Sequence, residues 1–109
     1  MSGLARLVES GKRPIVTGEA PAFDSGGLTA FHARIEELAG WVDALNATDN
    51  TAAHAHASNV ACAIAIAHAG VEPILQVVCR DKNRIACQAD IVGAALHGVE
   101  NVCCLTGDD

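Results

Sequence analysis

Four short apolar runs recur along this chain at nearly constant spacing, and that repeat constrains the fold more than any other feature. They begin at residues 14, 41, 72 and 101, so the spacings are 27, 31 and 29 residues. "PIVTGE" (14–19), "WVDALNA" (41–47), "EPILQVVC" (72–79) and "NVCCLT" (101–106) have the length and branched, apolar composition of buried strands. Between them, "LTAFHARIEELAG" (28–40), "ASNVACAIAIAHAG" (57–70) and "RIACQADIVGAALHG" (84–98) read as helices. The second and third of these close on Gly70 and Gly98, with His68 and His97 just ahead, which predicts left-handed caps at both ends. Strand–helix alternation of this kind makes a parallel sheet joined by right-handed crossovers.

Eight such units would fill about 230 residues, the size of a (β/α)8 barrel. The 109 residues therefore read as an α/β chain carrying the first four β-strands and about three helices of a parallel (β/α)8 TIM barrel, a half-barrel. The rival is an open doubly wound sheet, which four units could complete unaided. Two features favour the barrel. No G-x-G-x-x-G or G-x-x-x-x-G-K-[ST] turn follows any strand. Every strand also leaves on polar residues: Thr17 and Glu19, Thr48 and Asp49, Gln76 and Arg80, Thr106 and Asp108. A barrel gathers all its C-terminal strand ends around one site, whereas an open sheet gathers those near its switch point. Period-two alternation then predicts that Glu19 shares an inward face with Thr17 and Ile15, and Asp108 with Thr106, Cys104 and Val102.

Half of the residues are hydrophobic and only 3% aromatic, so small and branched side chains must build the core, as between helices and a parallel sheet. A net charge of −6 argues against nucleic acid or an anionic membrane as partner. No apolar run reaches the length of a bilayer span. Residues 1–13 read as an N-terminal leader without the apolar block of a signal peptide, and residues 14–109 as the domain. Five cysteines, an odd number with no C-x-x-C spacing, imply reduced, buried thiols and a cytoplasmic protein. His54 and His56, with Asp49 and Cys62 nearby, lack a further ligand pair at zinc-like spacing, so no metal site is expected. Asp81 reads as the N-cap of the third helix.

Three segments go beyond a generic barrel: "VTGEAP", "ALNATDN" and "EPILQVVCRDKNRIACQADIVGAALHGVENVCCLTGDD". Together they resemble methylenetetrahydrofolate reductase, and most of all its short bacterial form, over residues 14–109. The "CRD-x-NR" turn and the "LTGD" tip are the most specific parts of the likeness. The resemblance implies the N-terminal half of a flavin-binding catalytic barrel that reduces 5,10-methylenetetrahydrofolate to 5-methyltetrahydrofolate in one-carbon metabolism and methionine biosynthesis. It implies FAD, with FMN as the alternative, a folate substrate, and NAD(P)H or a protein as electron donor. Two departures stand out: "EAPAF" carries one proline where the family has a pair, and "HAHASN" replaces an Arg-Met-Ser-Ser run, so His56 stands where a permanent charge is usual.

Carried over residue by residue, the resemblance makes Glu19 the general acid and Asp108 the carboxylate beside the flavin. It makes Thr48, Gln76, Leu105, Thr106, Gly107 and Asp108 the flavin-contacting positions. Opening the methylene bridge needs a proton on the leaving nitrogen and then a hydride on the exposed carbon. A carboxyl that supplies the proton near neutral pH needs partial burial. Arg80 is read as a fork for cofactor phosphates or as a solvated strand-end arginine. Two other readings stay open: a pterin-dependent methyltransferase barrel using methyl-tetrahydrofolate, and a non-catalytic partner subunit of a reductase. The half-barrel alone is expected to be inactive and to associate with itself or a partner subunit through its open strand edges.

Overall fold

The computed structural model describes residues 1–107. In chain order they form α1 (Gly3–Ser10), β1 (Thr17–Glu19), α2 (Leu28–Ala39), β2 (Ala44–Ala47), a 3-10 turn (Thr51–Ala53), α3 (Asn59–His68), β3 (Pro73–Val78), α4 (Arg84–Leu96) and β4 (Val102–Leu105). The strands make one parallel sheet in the order β1-β2-β3-β4. That order decides between the two architectures. Each crossover steps to the next strand on the same side, so right-handed connections place the crossover helices α2, α3 and α4 on one face of the sheet. A doubly wound sheet must reverse direction and cover both faces. One core results: Phe31 and Ile35 of α2, Ala63 and Ile66 of α3 and Ala94 of α4 pack on Leu45, Ala47, Leu75 and Val77. Four parallel strands alternating with four helices are the first half of a TIM barrel.

Position in this layer explains the composition of each helix. α3 lies between α2 and α4 and touches both β2 and β3, so "NVACAIAIAH" is apolar on nearly every side. It is capped by Ser58, whose hydroxyl accepts from the Ala61 N–H. At its other end Gly70 is left-handed (φ 84°), and the Gly70 and Val71 N–H groups bond the Ala67 and Ile66 carbonyls. Gly98 (φ 83°) and Val99 repeat the arrangement on Ala95 and Ala94 of α4. Both are Schellman ends, as the glycines predict. At α4 the expectation for Asp81 fails: the N-cap is Asn83, whose side chain accepts from Ala86 N–H at 2.8 Å, while Asp81 pairs with Arg80. Two residues separate Asp81 from the helix start, too far for a capping side chain to reach the orphan donors.

The leader contains a helix that its short, mixed-charge sequence does not announce. α1 is capped by Ser2, and its Leu4 N–H donates to Glu72 Oε2 at 3.0 Å. Glu72 also accepts from Asn101 Nδ2, so one carboxylate joins α1 to the entrances of β3 and β4. β1 is shorter than the run 14–19, since Pro14 has no N–H to give a ladder.

The pairing register sorts the strand residues by face. Glu19 lies opposite Asn46, Asn46 opposite Ile74, Gln76 opposite Cys103, and Val78 opposite Leu105. Paired residues of a parallel sheet point the same way, so Thr17, Glu19, Gln76, Cys103 and Leu105 share the face away from the helices. Val102 and Cys104, expected there, lie instead on the helix side with Leu75 and Val77. Counting back from the chain tip miscarries because Gly107 takes φ 106°, which breaks the two-residue alternation. The thiols differ from expectation as well. All five are free, but among them Cys62 alone is buried, and Cys79 and Cys104 are exposed. Among the described residues no helix is long and apolar enough to cross a membrane.

Candidate active site

At the C-terminal ends of the strands the uncovered face opens into a cleft of about 240 Å³. Glu19 from the tip of β1, Gln76 and Val78 from β3, and Leu105 from β4 line it on the sheet. Asp49, Asn50 and Thr51 follow β2, and Arg80 follows β3. Residues spread over nearly ninety positions thus converge because parallel strands deliver all their C-terminal ends to one rim. Glu19 itself is exposed, so the partial burial that a proton donor needs is not supplied by the described residues.

Of the sequence-derived positions, Glu19, Gln76 and Leu105 meet at this cleft. Gly107 adjoins it: a Cβ there would lie 2.9 Å from both Val78 Cγ1 and Arg80 Cβ, so a side chain would push the chain tip off the rim. Thr48, just past the end of β2, is half-buried and Thr106 is exposed; neither lines the cleft. Asp108 and Asp109 lie outside the described residues. Arg80 holds Asp81 through Nε and Nη2 and reaches the Asn50 carbonyl with Nη2 at 3.5 Å. That guanidinium keeps the exposed Asp81 carboxyl below its ordinary pKa.

Sequence reasoning named Asp49 as a strand-end residue but passed over Lys82 and Asn59, with which it holds the cleft together. Asp49 is buried, with Oδ2 accepting from the Val78 N–H at 2.9 Å and Oδ1 from Lys82 Nζ at 3.1 Å. Lys82 also donates to Asp90 Oδ2 at 2.7 Å. Burial alone would favour the neutral amine, but the bonds to Asp90 and Asp49 outweigh it and raise the Lys82 pKa above its ordinary value. Asn59, 1% exposed, donates to the Gln76 carbonyl at 2.8 Å. A signal was present: an aspartate directly after an apolar strand must find a cation when buried, and Lys82 stands one turn past the neighbouring strand.

Over the rim, the β2–α3 loop takes left-handed backbone at Asn50, Ala52 and Ala53 (φ 52°, 59° and 59°). Side chains with a Cβ enter that region at a cost of about 1 kcal/mol each. The loop is tied to the β1–α2 loop twice, by Ala57 N–H to the Phe23 carbonyl at 2.8 Å and by the His56–Asp24 pair. His56 Nε2 also meets the Thr51 carbonyl at 3.1 Å. Asp24 first, and then Thr51, raise the His56 pKa above its ordinary 6.5. His56 is therefore engaged within the protein, and among the described residues no three His, Cys, Asp or Glu side chains gather as a metal site. A raised folded pKa means the clasp's contribution is fully present below pH 6.5 and is lost as the pH climbs through the folded value. An NMR titration of the His56 ring is expected to show a midpoint above 6.5, with Asp24→Asn bringing it down. An unchanged midpoint in that variant would remove the clasp.

Compared with known proteins, the chain matches one family over residues 8–109, described as Methylenetetrahydrofolate reductase. No curated protein and no solved structure gives a match.

Proposed function

The chain belongs to the methylenetetrahydrofolate reductase family, and from that membership we propose that it supplies the N-terminal half of a flavin-dependent barrel reducing 5,10-methylenetetrahydrofolate to 5-methyltetrahydrofolate. The observation that carries this reading is the convergence of Glu19, Gln76 and Leu105 on one cleft at the C-terminal rim of four consecutive parallel strands. Family membership supports the folate-related reductase role; flavin and the assignment of individual residues are the proposal.

The cleft residues fit a flat, polar-edged cofactor. Val78 and Leu105 present apolar surface, and the Gln76 amide offers both a donor and an acceptor. Gly107 leaves open the space that a Cβ would fill beside Val78 and Arg80. Flavin, FAD before FMN, would supply the hydride when bound. The protein's own part is to bind, orient and protonate. Gln76, Leu105 and Gly107 would hold the ring system, with Thr48 and Thr106 as outlying contacts. Glu19 would give a proton to the leaving nitrogen as the methylene bridge opens. Because Glu19 is exposed, its shelter from water falls to the substrate and to the closing half of the barrel. Asp108 would steady the cation developing on the folate. NADH, NADPH or a protein carrier would deliver the electrons.

β1 and β4 keep open edges, so the 109 residues alone are expected to turn over no substrate. Joined to the second half-barrel of a family relative and shown to be folded by circular dichroism, the chain is expected to purify yellow and to bleach with NADH or NADPH. A folded, colourless barrel that transfers a methyl group from methyl-tetrahydrofolate would replace this reading with the methyltransferase one.

A further inference from the structure

The ladder between β2 and β3 ends in an unusual way. Register places Ala47 opposite Leu75, so the next rung would set Asp49 opposite Val77. In a parallel ladder that rung would run from the Asp49 N–H to the Gln76 carbonyl and from the Val78 N–H to the Asp49 carbonyl. The sheet follows this rule elsewhere: opposite Pro73, the Leu45 N–H bonds the Glu72 carbonyl, and opposite Val102, the Leu75 N–H bonds the Asn101 carbonyl. At the Asp49–Val77 position side chains take over. Asn59 Nδ2 donates to the Gln76 carbonyl at 2.8 Å, and Asp49 Oδ2 accepts from the Val78 N–H at 2.9 Å.

A side chain standing in for a backbone group reaches further than the group it replaces, so the two strand tips need not close on one another as a regular rung would require. Both tips contribute to the lining of the cleft, β2 through Asp49 and Asn50 just past its end and β3 through Gln76 and Val78. Lys82 makes the two substitute bonds one unit, since its Nζ reaches Asp49 Oδ1 at 3.1 Å and Asn59 Oδ1 at 3.4 Å while Asp90 anchors it from α4. Asp49 and Asn59 are 4% and 1% exposed, so neither has water as an alternative partner.

We propose that Asp49, Asn59 and Lys82 are positioning residues that replace the last β2–β3 rung and so fix the width of the cleft and the placing of Gln76 in it. The inference rests on the cleft being the ligand site, but its test needs no ligand, so failure of the flavin reading would leave the result intact. Amide hydrogen exchange and side-chain amide spectra are recorded on the 109-residue chain. The Leu75 N–H, which bonds Asn101 at the other end of β3, serves as the internal reference for general loosening. In Lys82→Met, protection of the Val78 N–H is expected to fall at least tenfold relative to that of Leu75, and the Gln76 side-chain resonance to move. Lys82→Arg, which keeps the charge, is expected to restore most of both.

Asp49→Asn keeps an acceptor for Val78 but loses the attraction to Lys82, and a fall of about threefold is expected. It also serves if Lys82→Met does not fold. A Val78-to-Leu75 ratio and a Gln76 resonance that stay with the parent in either folded variant would overturn the proposal.

Discussion

Replacing Leu75 by alanine is expected to cost the chain about 3–5 kcal/mol of stability, the range for emptying a fully buried leucine site. Leu75 is 0% exposed at the centre of β3, one of the two strands flanked on both sides, and it belongs to the core formed with α2, α3 and α4. Its neighbours Ile66 and Leu45 are equally inaccessible, so the surrounding core has little freedom to collapse into the space. A domain of this size has a total stability of about 5–15 kcal/mol, so the loss is a large share of it. The midpoint should drop by more than 10 °C at roughly 4–8 °C per kcal/mol. Leu96→Ala provides the contrast: the same side chain, 81% exposed on α4, should change stability by no more than about 0.5 kcal/mol. Chemical denaturation of both variants checks the pair, and a Leu75→Ala loss below about 1 kcal/mol would mean that β3 is not covered as described.

The largest expected effect on chemistry comes from Glu19→Gln. A positioned proton donor contributes about 10²–10⁴-fold to a rate, and a carboxamide keeps the size and hydrogen-bonding shape of the side chain while having no proton to give. In the flavin-loaded barrel completed with a second half, steady-state turnover should fall by about that factor, with the substrate KM nearly unchanged. The step to follow is transfer to the folate, read by reoxidation of reduced flavin after mixing with substrate. Flavin reduction by the nicotinamide needs no proton from this residue and should keep its rate. Equal loss in both half-reactions would point to a misplaced cofactor, and no loss in either would favour a scaffold role for this chain.

Much of this architecture could be read from residues alone, and the reasons are local. The near-constant strand spacing, Gly70 and Gly98 as helix stops, and the apolar α3 sequence each report short-range physics: strand period, left-handed caps and burial on all sides. Glu19 and Gln76 were legible as strand-end residues for the same reason, whereas Leu105 entered only through the family resemblance. Asp81 was misplaced because capping depends on where the first helical turn starts, and Asn83 sits nearer to it. The parity of β4 was misread because one positive-φ glycine, Gly107, disturbs the count.

Sequence by itself determined the alternation of strands and helices, and with it the parallel sheet, because backbone propensity and periodicity act over a few residues; the family likeness rested separately on the motifs of the strand ends, "VTGEAP", "ALNATDN", "CRD-x-NR" and "LTGD". Tertiary structure alone decided that α2, α3 and α4 lie on one face and that Lys82, 33 positions from Asp49, neutralises it within a side-chain rung. Such pairings depend on distances through space between segments remote in the chain: the local pattern signals that Asp49 needs a cation once buried, but only the packing of neighbouring strands selects Lys82.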